Sequence, residues 1–81
     1  MIRLTLYGRA DCHLCHEMRA VVERVVADVP VEVREIDVDA DPALAARYGD
    51  EVPVLLVNGQ RAFSGRVDAA ALRARLGREP A

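Results

Sequence analysis

The chain has 81 residues, 52% of them apolar and 30% charged, with a formal net charge of −2. That length makes a single domain, 1–81, with a modest core, and the composition is globular rather than disordered. No basic footprint for nucleic acid or anionic lipid is visible, although all eleven basic residues are Arg.

Ile2 to Tyr7 alternates apolar and polar residues and predicts a strand. Asp11 is placed to cap the helix that follows. There Leu14, Met18, Val21, Val22, Val25, Val26 and Val29 share one face, and Pro30 ends the element. The only two cysteines, Cys12 and Cys15, sit at this strand-to-helix seam. Val31 to Val38 alternates again as a second strand. Asp39-Ala40-Asp41-Pro42 then supplies a cap and a first-turn proline for a short helix, Ala43 to Tyr48, closed by Gly49. The apolar run Val52 to Val57 reads as a buried strand, and Asn58-Gly59 as a two-residue hairpin turn. Gln60 to Ser64 pairs back as an edge strand that Gly65 breaks. Asp68 caps a last helix with Leu72 and Leu76 facing inward, Gly77 stops it, and Gly77 to Ala81 reads as a frayed tail. The order β-α-β-α-β-β-α predicts an α/β fold, a four-stranded mixed sheet flanked by three helices.

Two thiols separated by two residues can close and reopen a disulfide, and C-x-x-C beside a βαβ pattern reads as a thioredoxin-like redox motif. Cys12, ahead of the first helical turn, is expected to be the more exposed. The free amides of the helix start favour its thiolate, and such thiols are commonly lowered from about 8.5 towards 7. Arg9 and His13 add positive charge that tunes the thiolate, while Asp11 opposes it. Cys12 is then the catalytic nucleophile and Cys15 the catalytic resolving thiol. Val52-Pro53 is the second signal: a proline opening an apolar strand suits an edge, a bulge or a cis bond.

Other chemistry fits parts of the same stretch. Cys12-His13-Leu14-Cys15-His16 has the C-x-x-C-H spacing of haem attachment, but no export signal or second axial ligand accompanies it. Cys12, Cys15, His13 and His16 offer zinc-type donors, yet structural sites usually join two separated pairs, so no metal is expected. His16 reads as a solvated histidine, and Asp37, Asp39 and Asp41 as caps. A binding module without turnover is the alternative of a different class; the presence of both cysteines argues against it. With no signal peptide and no apolar span evident, a cytoplasmic monomer is the expectation.

At these motifs the chain resembles the glutaredoxin family of the thioredoxin fold over almost its whole length, most of all short bacterial glutaredoxin-like proteins with a C-H-L-C site. Tyr7 to Cys15 resembles the family's strand end, basic residue and active-site pair. Val52-Pro53 matches its cis-proline dipeptide, and Phe63-Ser64-Gly65 its glycine turn. The resemblance implies that Pro53 is cis and that the Val52 backbone pairs with a bound peptide or glutathione. Gly65 and Asp68 join these two as substrate-binding candidates, Asp68 doubling as a helix cap. Glutathione-using members carry proline after the first cysteine, Thr before the cis-proline and a Gly-Gly pair; here stand His13, Val52 and Ser64-Gly65. The Ser64-Gly65 turn and Arg9 also look like glutathione-independent redoxins recharged by thioredoxin reductase. The expected partners are a disulfide-containing protein or a glutathione mixed disulfide, and a reductase as electron source. No tightly bound cofactor is expected; glutathione is a candidate cosubstrate.

Overall fold

In the computed structural model, which describes residues 1–80, the chain runs β1 (Ile2–Gly8), α1 (His13–Val26), β2 (Val31–Asp37), a 3₁₀ turn (Val38–Ala40), α2 (Pro42–Tyr48), β3 (Val54–Val57), β4 (Gln60–Ser64) and α3 (Ala69–Leu76). The strands lie in the order β2-β1-β3-β4. β1 and β2 are parallel, in register from Ile2 with Val31 to Gly8 with Asp37, because α1 carries the chain back across one face. β3 is antiparallel to both β1 and β4. The fold is thioredoxin-like, a four-stranded mixed sheet with three helices.

Strand side chains alternate between faces, so the sheet has two covers. On one face Ile2, Leu4, Leu6, Leu55 and Val57 pack against Met18, Val22 and Val25 of α1 and Leu72 and Leu76 of α3. On the other, Val54 is buried with Val38 and Tyr48, ringed by Tyr7, Leu44, Val52 and Leu56. Tyr7 stacks on Tyr48 with ring centroids 4.4 Å apart, a pairing worth about 0.5–1.5 kcal/mol beyond area burial. Leu4, Leu55 and Leu72 are fully buried; truncating any of them to Ala costs about 2–5 kcal/mol.

The Asn-Gly turn forms as its residues dictate. Asn58 and Gly59 both adopt positive φ, 50° and 81°, the conformation a type I′ hairpin requires. Asn58 Oδ1 also accepts the Arg3 amide at 2.9 Å, and its Nδ2 donates to Glu79 at 2.8 Å. A bulge at Ala62 shifts the register of β4 between Leu55 and Leu56, and both Ala62 and Phe63 then pack on the α1/α3 core.

Several boundaries differ from the sequence reading, each for a local reason. α1 ends at Val26, ahead of Pro30, and the amides of Asp28 and Val29 fold onto the Val25 carbonyl; proline disfavours helical backbone at the residue before it. β2 stops at Asp37, whose Oδ1 accepts the Asp39 amide at 2.9 Å and turns Val38 into the second core. Asp41 caps α2 by accepting the Ala43 amide at 2.9 Å, with Pro42 as the first helical residue. β3 begins at Val54 rather than Val52, since Pro53 has no amide to give the ladder. The segment after Gly77 is tied down up to Glu79, which pairs with Arg75 at 3.1 Å and accepts from Asn58; Ala81 lies outside the described residues. No helix among the described residues is long and apolar enough to cross a membrane.

Candidate functional site

The cysteines lie where β1 hands over to α1. Cys12 has extended backbone and is the N-cap of the helix, a place the sequence reading gave to Asp11. Its Sγ accepts the Cys15 amide at 3.1 Å, so a sulfur does here what a capping oxygen usually does. No hydrogen bond to Asp11 takes that role; the side chain one residue earlier is exposed. Cys12 and Cys15 are joined by a disulfide with Cα atoms 5.1 Å apart. Cys12 is half-buried, whereas Cys15 is 5% exposed. A Cβ on Gly8 would stand 3.2 Å from both Cβ and Sγ of Cys15, so the buried sulfur rests on a residue kept bare for it.

Arg9 is held by its neighbours. Its Nε donates to both carboxylate oxygens of Asp39, at 3.0 and 3.2 Å, and its Nη1 donates to the Gly49 carbonyl at 2.9 Å. The guanidinium thus clips the loop before Cys12 to the end of α2, and its charge is answered by Asp39. Gly49 closes α2 with helical φ, −53°. Glycine serves there because a Cβ would stand 2.8 Å from the Arg9 guanidinium and clash with the Ala45 carbonyl.

Tyr7 pairs with Val54 across antiparallel strands, which brings the residues just before Val54 to the same end of the sheet as Gly8 and the cysteine loop. The Val52–Pro53 peptide bond is cis. Pro53 is fully buried, and its carbonyl accepts the Gly65 amide at 2.9 Å. Ser64 Oγ donates to the Glu51 carbonyl at 3.0 Å, a second stitch between these loops. Gly65 has φ 81°, the left-handed region that glycine enters freely. Val52 lies outside the ladder. Asp68 Oδ1 is engaged in capping α3 through the Ala71 amide at 2.7 Å.

A groove of about 610 Å³ runs between α1 and the segment before α3. Leu14, from between the two cysteines, forms part of its wall together with Met18, Val21, Gly65, Val67 and Asp68. Arg66 reaches the Glu17 carboxylate across it at 3.6 Å, an exposed pair worth at most about 1 kcal/mol. His13 is 88% exposed and pairs with Glu17 one turn along at 3.3 Å. His16 is not simply solvated: its Nε2 lies 2.8 Å from the Ala10 carbonyl oxygen. Among the described residues no three His, Cys, Asp or Glu side chains converge as a metal site.

The structure therefore brings Gly65 to Pro53, Gly65 and Asp68 to Leu14, and Cys15 to Gly8, while Arg9 is bonded to Asp39 and the Gly49 carbonyl. The contacts of Gly8 with Cys15, and of Gly49 and Asp39 with Arg9, escaped the sequence reading, and only a knowledge of which segments meet in space reveals them.

A thioredoxin-like fold with a close cysteine pair at the start of its first helix supports a redox-type function. Within that class, residues 3–77 match the glutaredoxin-like domain family (DUF836), and the chain belongs to that family. An uncharacterised protein of Mycobacterium tuberculosis (strain H37Rv) is 30% identical, covering 94% of this chain and 84% of that protein. The X-ray structure of a structural-genomics target from X. campestris is 38% identical with a TM-score of 0.78, covering 95% of this chain and 99% of that one. Desulfothioredoxin from Desulfovibrio vulgaris Hildenborough, in its reduced form, is 28% identical with a TM-score of 0.74, covering 94% and 79%.

Proposed function

We propose that the protein is a thiol–disulfide oxidoreductase that carries electrons on Cys12 and Cys15. The observation that carries this reading is the asymmetry of the pair. Cys12 caps a helix with its sulfur 3.1 Å from a backbone amide, while Cys15 is buried behind it. In the dithiol state, the amides and dipole of the helix start favour the Cys12 thiolate. That thiolate attacks one sulfur of a substrate disulfide, and the other half leaves as a thiolate. Cys15 then attacks Cys12 Sγ, expels the second half, and leaves the Cys12–Cys15 disulfide with two electrons transferred to the substrate.

Val52 offers unpaired backbone to an extended segment of the substrate beside the cis Pro53, and the groove along Leu14 and Gly65 accommodates what flanks the disulfide. His13, on the exposed side of the pair, contributes positive charge near Cys12 when protonated. Arg9 acts by holding the loop, since Asp39 neutralises it. The substrate is a protein disulfide or a glutathione mixed disulfide, and the protein works as a cytoplasmic monomer with no resident cofactor. Reduced glutathione with its reductase, or thioredoxin reductase, restores the dithiol.

The test is NADPH-coupled reduction of a disulfide-bonded protein and of a glutathione mixed disulfide, with each electron source supplied in turn. Turnover of at least one substrate, lost in Cys12→Ser, is expected. Failure of the wild type to reduce either one with both sources sinks the enzyme reading and leaves a binding module.

A further inference from the structure

In the proposed cycle Cys15 must lose a proton before it attacks, yet its thiol is 5% exposed. Gly8 and Cys15 line a cavity of about 310 Å³, whose remaining walls include His16 and Arg19 of α1 and Glu35 and Asp37 of β2. It has both the volume and the polar partners that water needs. His16 Nε2 lies 2.8 Å from the Ala10 carbonyl oxygen. A carbonyl only accepts, so Nε2 carries the hydrogen and Nδ1 is left as the acceptor of the neutral ring. A base held in one tautomer by a third group is the arrangement that activates nucleophiles generally.

The other charged groups around the cavity are committed. Arg9 is bound to Asp39, Arg19 pairs with Glu35 at 3.4 Å, and Asp37 accepts the Asp39 amide at 2.9 Å. Guanidinium groups accept no proton, and β1 contributes only Leu6 and Gly8 to the wall. Imidazole is the side chain that takes up and releases a proton near neutrality.

We propose that His16 is the proton acceptor for the resolving thiol, working through water in this cavity, with the Ala10 carbonyl fixing its tautomer. The proposal rests on the dithiol cycle above. With half of the substrate bonded to Cys12, the Cys15 S–H proton passes through water to His16 Nδ1. The Cys15 thiolate puts its electron pair into a new bond to Cys12 Sγ. The mixed disulfide breaks, and its bonding pair leaves with the substrate thiolate, which collects the proton from His16. The two cysteines are oxidised by two electrons and the substrate is reduced by two.

Single-turnover reaction of the reduced protein with dithiobis(nitrobenzoate) separates the steps. The first release of chromophore reports attack by Cys12, and the second reports resolution by Cys15. His16→Gln keeps an amide N–H for Ala10 but supplies no titrating base; His16→Ala removes both. In the wild type the second phase should rise with pH and level off at a lower pH than in the variants. In His16→Gln its ratio to the first phase should fall at least about tenfold at pH 7, the low side of what a general base contributes. Its rise should then continue into the alkaline range where free thiols ionise. A second phase in His16→Gln with wild-type rate and pH profile overturns the proposal. So does slowing confined to His16→Ala, which would leave only the Ala10 hydrogen bond. Absence of any first phase in the wild type would instead sink the dithiol cycle itself.

Discussion

At the hairpin end of the sheet, the side chain that bends the chain is answered by others. Asn58 takes the Arg3 amide and gives to Glu79, and Glu79 in turn holds Arg75. At the cysteine end the corresponding places are kept by residues with little or no side chain. Gly8 lies under the Cys15 sulfur, Gly49 faces Arg9, and Gly65 bonds the carbonyl of cis Pro53. The first end is fastened chiefly by side-chain bonds, whereas the second adds to such bonds the space its glycines leave open. Substitution at the hairpin end should therefore cost stability alone. At Gly8 and Gly65 it should cost the reaction as well, because Gly8 leaves room for the Cys15 sulfur and Gly65 opens onto the groove beside Leu14.

The sharpest way to break that contrast is Gly8→Val. Its Cβ would already stand 3.2 Å from the Cys15 sulfur, and the added methyls meet a packed helix. Overpacking of this kind costs about 1–3 kcal/mol, which urea unfolding reads. Disulfide reduction should fall more than that loss of folded protein explains; unchanged turnover per folded molecule would show that Cys15 needs no such clearance.

Arg9→Ala should have the next largest effect. It strands the Asp39 carboxylate and frees the Gly49 carbonyl, a loss of about 1–2 kcal/mol for partly exposed charge-assisted bonds. Iodoacetamide alkylation against pH should show the Cys12 thiolate forming over nearly the same range as in the wild type. A large alkaline displacement would restore to Arg9 the thiolate-tuning role suggested by its place in the sequence.

Asn58→Gly keeps the left-handed turn but deletes both side-chain bonds, so stability should drop by about 1 kcal/mol with turnover unaltered. A loss of turnover would show that the two ends are coupled.

The smallest effect lies in acid. Hydrogen bonding from Asn58, helped by Arg75, holds the Glu79 carboxyl below its usual 4.5, and Arg61 does the same for Glu51. A carboxyl with a lowered folded value stabilises the fold above its unfolded value, and that contribution fades as pH falls through the lowered one. Chemical denaturation between about pH 5 and 3 should fall less steeply in Glu79→Gln than in the wild type. Identical slopes would show that the tail contact does not persist in solution.

What could be read from the sequence follows the same division. Periodicity and the Asn-Gly pair announce the strands and the hairpin because their causes are local. The Cys12 to Cys15 spacing announces the redox pair for the same reason. Asp11 was the expected cap because carboxylates are the usual caps, whereas the cap observed is a sulfur that the motif already explained in another way. Gly49 reads as the stop of the short helix, a common use of glycine there. In the structure a Cβ there is barred by the Ala45 carbonyl and by Arg9, forty residues earlier, and no local pattern carries the second contact. Glu79 likewise gave no sign that a tail of small and polar residues would be fastened to Asn58.

The division of labour between the two sulfurs is tested most directly by trapping. Reduced Cys15→Ser and Cys12→Ser proteins are each exposed to glutathione disulfide and to dithiobis(nitrobenzoate), and the adducts are located by peptide mass spectrometry. A stable mixed disulfide on Cys12 in the first variant, with little on Cys15 in the second, is the predicted result. Rapid modification of Cys15 in the second, or no adduct on Cys12 in the first, would contradict the account.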